Sequence, residues 1–231
     1  KLNERIFSIL YDSNTYRIPT IAPENASPSH SYYSENAIFL SGYLQDKLEY
    51  QSFIMNLGIR FDSFDPQSTY IDSLLNPEAG VIESDKKNMW SPRMGVAYPI
   101  TDEGVLHFSY GHFYQMPTMR NLFLTNIFGA GLSPTIGYSD LKPQKTVMYE
   151  FGMQQQLSRF IAINGSVFYK DIRDLLALQS INYNSPTYGP SSYAVYLNKD
   201  YSMVKGITLS LTKRRDPQTK ISAFIDYSYQ T

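Results

Sequence analysis

His107 and Ser109 are the residues whose types could together perform bond chemistry, because a serine beside a histidine can act as an activated nucleophile. They lie two positions apart on one predicted strand and therefore share a face. Same-face neighbours stand about 6.6 to 6.8 Å apart along a strand, which is too far for a direct Ser–His hydrogen bond. The spacing disfavours catalysis, and we predict no enzyme, no catalytic residue and no cofactor.

Metal-ligating residue types are present, but their spacing does not suit a metal site. Of the three histidines, His112 falls on the opposite strand face from His107, and His30 lies in a predicted connection; cysteine is absent. The acidic side chains also do not follow the spacing of a calcium-binding loop. This acidic series comprises Asp62, Asp65, Asp72, Glu78, Glu83 and Asp85. We predict that these carboxylates are solvated and that the chain holds no metal.

The composition of the 231 residues narrows the class of protein. The net charge is -1, which lacks the basic excess that nucleic-acid binding requires, so we expect no nucleic-acid partner. Aromatic residues reach 15%, with 20 tyrosines, and such side chains favour strands and boundaries between water and apolar media. No apolar run approaches the 18 residues of a spanning helix. These features predict an all-β chain.

Apolar and polar residues alternate with a period of two in many segments, which is the pattern of β-strands with one apolar face. In residues 53–62, for example, Phe53, Leu57 and Phe61 share one face, whereas Asn56 and Arg60 share the other. The segments with this pattern are 37–48, 53–62, 90–98, 106–114, 146–157, 161–170, 206–212 and 221–230, with a further candidate at 6–11. We therefore predict about eight strands.

The connections between these strands alternate in length. Short ones lie near 49–51, 99–104, 158–159 and 214–219, and long ones near 12–35, 65–88, 116–143 and 174–191. Short turns at one end of alternating strands and long loops at the other are typical of an antiparallel transmembrane β-barrel. Such a sheet must close, because unpaired backbone groups are costly in hydrocarbon. Periodicity alone leaves open a closed eight-stranded barrel, an arc of a wider barrel and a soluble β-sandwich.

Several stretches resemble the barrel of TonB-dependent outer-membrane receptors. The longest is residues 91–117 (SPRMGVAYPITDEGVLHFSYGHFYQMP). Shorter ones are 43–46 (YLQD), 56–62 (NLGIRFD), 141–146 (LKPQKT), 149–150 (YE), 168–175 (FYKDIRDL), 198–201 (NKDY) and 204–206 (VKG). The similarity covers approximately 36–231 and is greatest to the Oar-like branch of Bacteroidetes-type bacteria, whose members carry a carboxypeptidase-regulatory-like domain.

The resemblance implies that these strands are an arc of a larger, 22-stranded and plugged barrel. It implies that 1–231 is part of the barrel domain, without the plug and the rest of the barrel. The expected location is the bacterial outer membrane, and the expected function of the parent is energised uptake of a scarce solute of unknown identity. The expected partners are outer-membrane lipid, the TonB complex through the missing plug, and a surface lipoprotein. The alternatives are a small closed barrel acting as an enzyme or adhesin, and a soluble sandwich that binds a ligand.

Charged residues on the predicted inner faces are candidates for contact with the plug or the solute. They are Arg60, Arg93, Glu150, Lys170 and Asp226. The connection 116–143 and the strand end before it add Tyr114, Gln115 and Arg120. This connection is rich in apolar residues, which predicts that it packs against the plug or a neighbouring loop, or that it binds a ligand. Seven aromatics are predicted to form interface belts: Trp90, Tyr98, Tyr110, Tyr114, Tyr149, Tyr169 and Tyr227.

Overall fold

The computed structural model describes residues 2–7, 30–77, 79–124, 135–186, 189–215 and 220–231. Most of these residues are in strands. The strands are β1 (Leu2–Phe7), β2 (His30–Glu35), β3 (Ile38–Tyr50), β4 (Phe53–Asp65), β5 (Thr69–Ile71), β6 (Val81–Glu83), β7 (Lys87–Thr101), β8 (Gly104–Gln115), β9 (Thr135–Ile136), β10 (Gln144–Ser158), β11 (Ile161–Ser185), β12 (Gly189–Lys213) and β13 (Ala223–Gln230). One short helix, α1 (Met119–Phe123), follows β8.

Eight strands form one continuous antiparallel sheet in the order β13-β12-β11-β10-β8-β7-β4-β3. Each neighbour in the sheet is also the next of these eight strands along the chain, so the sheet is a meander. β3 and β13 lie at its two edges, and the sheet does not close on itself. This confirms the predicted all-β class and the predicted eight strands. The candidate strand at 6–11 corresponds to β1 as far as Phe7, and residues 8–11 lie outside the described part.

The register of the ladders joins the alternating residues into two uniform faces, because directly paired residues lie on the same side of a sheet. Leu57 on β4 is opposite Met94 on β7, and Tyr110 on β8 is opposite both Met94 and Tyr149. This series continues through β11, β12 and β13, and we name it the apolar face. The other side, the polar face, carries Asn56, Arg60, Arg93, Glu150, Lys170 and Asp226.

The apolar face is uncovered. In residues 201–211 of β12 every second residue is exposed, including Met203, Ile207 and Leu209, while the polar-face residues between them are half-buried. A soluble sandwich would bury such a face against a second sheet. The structure therefore disagrees with the sandwich alternative.

Turns at one end of the sheet are short, as predicted. Gln51 and Ser52 join β3 to β4, Asp102 and Glu103 join β7 to β8, and Arg159 and Phe160 join β10 to β11. Gln51 has a φ of 53°, which tight turns require. The fourth turn, after β12, lies partly in 216–219, outside the described residues. We name this end the short-turn end and the opposite one the long-connection end.

One predicted loop is wrong: within the predicted connection 174–191, residues 174–185 and 189–191 continue the sheet. β11 and β12 each have 25 residues and stay paired up to Ser185 and Gly189. Their register shifts between Ile172 and Leu175, where Asp174 takes a φ of 59°. A bulge of this kind interrupts the alternation and bends the strand, which explains why the sequence pattern ended there. Residues 175–198 form a hairpin beyond this bulge, which we name the long hairpin.

The other long connections also contain regular structure. Residues 65–88 include the hairpin β5–β6, and residues 116–143 include α1 and β9, which pairs in parallel with Ala194 and Val195 of β12. Most of the predicted connection 12–35 and residues 125–134, including Ile127 and Phe128, lie outside the described residues. Within the described part, no helix is long and apolar enough to cross a membrane.

Two buried clusters hold the long-connection end together. The first contains Phe64, Met89, Leu122, Phe123 and Leu141, so α1 and its flanks pack on the ends of β4 and β7. The second contains Ile181, Tyr193 and Val195 of the long hairpin, packed against Ile71 and Leu74. The apolar residues of the connection 116–143 thus pack against neighbouring segments, which was one of the two predicted roles.

Candidate functional site

The candidate site lies on the polar face, where β4, β7 and β8 approach the first buried cluster. Arg60 and Asp62 are two positions apart on β4 and therefore point to the same side. The Arg60 guanidinium donates from Nε to Asp62 Oδ2 at 2.8 Å and from Nη2 to Oδ1 at 2.7 Å. This two-point pair orients both side chains and neutralises the Arg60 charge locally.

Arg93 of β7 presents a second positive charge on the same face. It lies directly opposite Gly58 on β4 and Gly111 on β8, whose missing side chains leave room for the guanidinium. Its Cζ atom is 4.7 Å from the centroid of the Phe113 ring, a cation–π geometry. None of the ion pairs among the described residues includes Arg93. Arg93 can therefore attract an anionic group.

These charged groups line a pocket of about 460 Å³ that we name the arginine pocket. Its polar lining comprises Arg60, Asp62, Ser91, Arg93 and Tyr114, and its apolar lining comprises Phe39, Phe64, Met89, Met116 and Met119. Apolar walls with a few convergent polar groups are typical of ligand sites. The arrangement suits an anionic group carried on an apolar body.

The helix α1 forms one wall of the arginine pocket through Met119. Thr118 is the N-cap of α1, and its Oγ1 accepts a hydrogen bond from the Asn121 backbone N–H at 3.4 Å. Leu122 and Phe123 anchor the helix in the first buried cluster. Gly137 lies against Leu122 and Leu124 so closely that an added Cβ would stand 2.6 Å from the Leu124 nitrogen. Any larger residue would separate these two backbones.

Asn198 fixes the segment that follows β9. Its side-chain oxygen accepts a hydrogen bond from the Lys142 N–H at 2.8 Å, and its amide donates to the Lys142 carbonyl at 3.0 Å and to the Asp174 carbonyl at 2.8 Å. One side chain thus ties the connection 116–143 to the bulge below the long hairpin. Asn198 and Lys142 belong to two of the stretches that resemble the receptor family.

Two tyrosines at the long-connection end, Tyr193 and Tyr138, are removed from water to a degree that changes their pKa. Tyr193 is 2% exposed, and its hydroxyl donates to the Leu74 carbonyl at 2.6 Å. Burial raises the pKa of Tyr193 to about 12, and burial likewise raises the pKa of Tyr138 to about 12. Both tyrosines therefore stay neutral at physiological pH and contribute to packing.

The predicted site residues fall into two groups. The structure brings Arg60, Arg93 and Tyr114 together in the arginine pocket, whereas the other five lie outside its lining. Gln115 and Arg120 are exposed at the end of β8 and in α1. Glu150 lies opposite Ser109, and the Lys170 ammonium is 5.0 Å from the centroid of the Phe168 ring. Asp226 accepts a hydrogen bond from Ser210. Tyr114 packs against the first buried cluster, and its register position, opposite Lys145, is on the apolar face.

The pocket contains residues that the sequence analysis did not select. Asp62 was assigned to the solvated acidic series, but it is 7% exposed and pairs with Arg60. The two-residue alternation could have predicted this pair, because it places Asp62 on the same strand face as Arg60. Phe39, Phe64 and Met89 gave no such signal, because only the folded connections show that these residues border a cavity.

The structure also locates the residues that were considered for catalysis and metal binding. His107 is on the polar face with Ser109, and its ring lies over Gly152, its cross-strand partner. His112 is on the apolar face, where its Nε2 is 2.7 Å from the Tyr110 hydroxyl. Among the described residues, no group of three or more His, Asp or Glu side chains is close enough to hold a metal ion. Glu78 lies outside the described part.

A sequence profile of the family "TonB dependent receptor-like, beta-barrel" matches residues 5–231. The chain therefore belongs to this family, whose members are outer-membrane β-barrels. No curated protein matches the sequence. The family confirms the receptor-barrel resemblance, and it does not resolve the Oar-like branch.

Solved structures show the same fold at low sequence identity. The ferric enterobactin receptor PfeA of Pseudomonas aeruginosa, in complex with enterobactin, is 17% identical, with a TM-score of 0.64 over 93% of this chain and 29% of that one. The iron transporter FrpB of Neisseria meningitidis is 16% identical, with a TM-score of 0.57 over 88% of this chain and 26% of that one. The copper transporter OprC is 17% identical, with a TM-score of 0.50 over 87% of this chain and 29% of that one. The chain thus spans less than a third of these proteins.

Proposed function

We propose that the chain forms part of the barrel wall of an outer-membrane receptor that imports a scarce solute, with energy delivered by TonB through a plug domain outside this sequence. The observation that carries the proposal is the single-layered sheet with one continuous apolar face and one polar face. An apolar face without a covering layer suits lipid, and a polar face suits a water-filled lumen. We assign the apolar face to lipid accordingly.

The aromatic residues on the apolar face support this assignment. Near the short-turn end, the rings of Phe53 and Tyr98 are 5.0 Å apart, and towards the other end those of Phe61 and Trp90 are 4.7 Å apart. The two pairs are separated by eight residues along β4 and along β7. At about 3.4 Å per residue and a tilt near 40°, this spans about 20 Å of membrane normal, close to the apolar band of about 25 Å in such barrels.

The solute contacts the receptor at the arginine pocket in this proposal. The pocket lies on the luminal side below the long connections, which are the extracellular loops of a barrel of this kind. Arg93 supplies the charge that attracts an anionic group of the solute or of the plug. Glu150, Lys170 and Asp226 lie along the same luminal wall and contact the plug. We further propose that the parent belongs to the Oar-like branch and works with a surface lipoprotein.

Arginine substitutions in the full-length parent test the lipid assignment. Leu57→Arg and Ile163→Arg place a charge on the apolar face and should each cost about 2–4 kcal/mol near the bilayer midplane. Asn56→Arg and Asn164→Arg are the matched controls, because each lies one residue away on the polar face. The measurement is the amount of folded receptor in outer-membrane fractions. Equal losses at both pairs of positions would refute the assignment.

A further inference from the structure

The apolar face carries a cationic patch just beyond an aromatic row. The row consists of Tyr110, Tyr149 and Tyr169 on β8, β10 and β11, with ring centroids 5.0 and 6.4 Å apart. On β12, Lys205 lies directly opposite Tyr169 and extends the row. On the short-turn side of this row, the paired residues are apolar, as in Phe108 opposite Phe151 and Val167 opposite Ile207. The row therefore marks the edge of the lipid-facing band.

Two more cations lie beyond the row, towards the long-connection end. Lys145 of β10 is directly opposite Arg173 of β11 on the apolar face. Arg173 pairs with Asp171, with 2.7 Å between Nε and Oδ1 and 3.1 Å between Nη2 and Oδ2. Its guanidinium also stands 5.3 Å from the centroid of the Tyr201 ring. These contacts hold Arg173 in place and leave its Nη1 donors available to a ligand.

The charge of this patch is positive. Lys145, Arg173 and Lys205 contribute three cations, against the single carboxylate of Asp171. Lysine and arginine at the rim of a membrane-spanning surface reach towards the headgroups with their long side chains. Three of them on adjacent strands, above an apolar band, form a surface that is complementary to phosphate groups held at headgroup depth.

We infer that Lys145, Arg173 and Lys205 bind the phosphorylated headgroup of an outer-leaflet glycolipid. The inference rests on the proposed location in the outer membrane, with the long-connection end outward. The phosphate oxygens accept hydrogen bonds from the Lys145 ammonium and from the free Arg173 donors, and Lys205 reaches the headgroup from the aromatic row. The acyl chains then lie along the apolar band next to β10, β11 and β12.

Native mass spectrometry of the purified full-length receptor tests this site, with diphosphorylated lipid A as the probe. The variant Lys145→Gln/Arg173→Gln/Lys205→Gln should bind the probe about a hundredfold more weakly, since each cation at a membrane surface contributes about fivefold. Dephosphorylated lipid A should bind the parent and the variant equally weakly. Lys47→Gln is the control, because Lys47 is a cation of the polar face on β3, near the short-turn end, and pairs with Glu49; it should bind like the parent.

Several results would overturn the inference. They are unchanged lipid A binding by the triple variant, an equal loss in Lys47→Gln, or displacement of the lipid by equimolar inorganic phosphate. Folding is checked by heat-modifiable mobility on gels, and Lys205→Gln alone, with an expected fivefold loss, replaces the triple variant if that does not fold. Outer-membrane fractionation of the same cells tests the proposed location separately. A receptor that is correctly located and does not bind lipid A would refute only the glycolipid site.

Discussion

At the scale of single residues, the two arginines of the pocket differ in what they can still bind. Arg60 is engaged by Asp62 through two hydrogen bonds, whereas Arg93 is held, among the described residues, only by the Phe113 ring. A charge held by an aromatic face keeps its hydrogen-bond donors available. In the proposed function, Arg93 is therefore the residue that we expect to select charge, and Arg60 mainly shapes the wall.

The selection of charge by Arg93 leads to a prediction on uptake. Arg93→Gln in the full-length parent should lower the accumulation of the native solute at least tenfold, because a charge-assisted hydrogen bond is lost. Lys47→Gln is the control, since Lys47 is a polar-face cation near the short-turn end that pairs with Glu49. The measurement is solute accumulation normalised to receptor in the outer membrane. Equal accumulation by both variants and the parent would contradict the role of Arg93.

Asn198 provides a second prediction at this scale. Asn198→Ala removes three hydrogen bonds and leaves the Lys142 and Asp174 backbone groups to water, which should cost about 1 to 3 kcal/mol locally. Limited proteolysis of the full-length receptor should then cut the connection 116–143 faster. Asn182→Ala, an exposed asparagine of the long hairpin, should leave the cleavage rate unchanged. An unchanged rate in Asn198→Ala would show that packing alone holds this connection.

At the scale of elements, the sequence predicts the features that follow from regular alternation of apolar and polar residues. It predicts the eight strands, the short turns and the faces of Arg60, Arg93 and Glu150, because alternation fixes each of these. It does not predict the long hairpin, since Asp174 and the shifted register break the period while the backbone pairing continues. It also misses β2, which lies within the predicted connection 12–35. It misses β5, β6 and β9 as well, which are too short for a period and depend on contacts with distant segments.

Glycines on the polar face give a prediction about packing between strands. At Gly206 an added Cβ would be 2.5 Å from the Tyr229 carbonyl oxygen and 2.6 Å from Phe168 Cζ, whereas an added Cβ at Gly95 would meet nothing within 4 Å. Gly206→Ala should therefore lower the thermal midpoint of the full-length receptor, at a cost of about 1–3 kcal/mol, and Gly95→Ala should not. Differential scanning of the detergent-solubilised receptor measures both. Equal midpoints would mean that the Phe168 ring moves aside without cost.

At the scale of the whole molecule, the eight strands bury little of their own surface. β3 and β13 are exposed along their whole lengths, and the buried residues are concentrated at the long-connection end. Both edges carry backbone donors and acceptors that a bilayer does not satisfy. The sheet therefore depends on further strands at β3 and β13 for its stability in a membrane.

The open sheet leads to a prediction about the isolated chain. Residues 1–231 alone, refolded into detergent or vesicles, should give no heat-resistant folded band on gels, whereas the full-length parent should give one. The reason is that two unpaired edges remain in the isolated sheet. A monodisperse folded band from residues 1–231 would instead support a barrel that closes on eight strands, and with it the alternative of a small enzyme or adhesin.

With the proposed orientation, in which the long-connection end faces outward, the long hairpin projects from the cell surface. Its two strands continue for about eleven residues past the Asp174 bulge, or roughly 35 Å at the rise of a β-strand. Antibodies and bacteriophage are too wide to enter a pore and must dock on whatever protrudes. Ser185 and Gly189, the last paired residues of the long hairpin, stand farthest from the bulge, so we expect such particles to contact this part of the chain first and variation there to evade recognition without altering the pore.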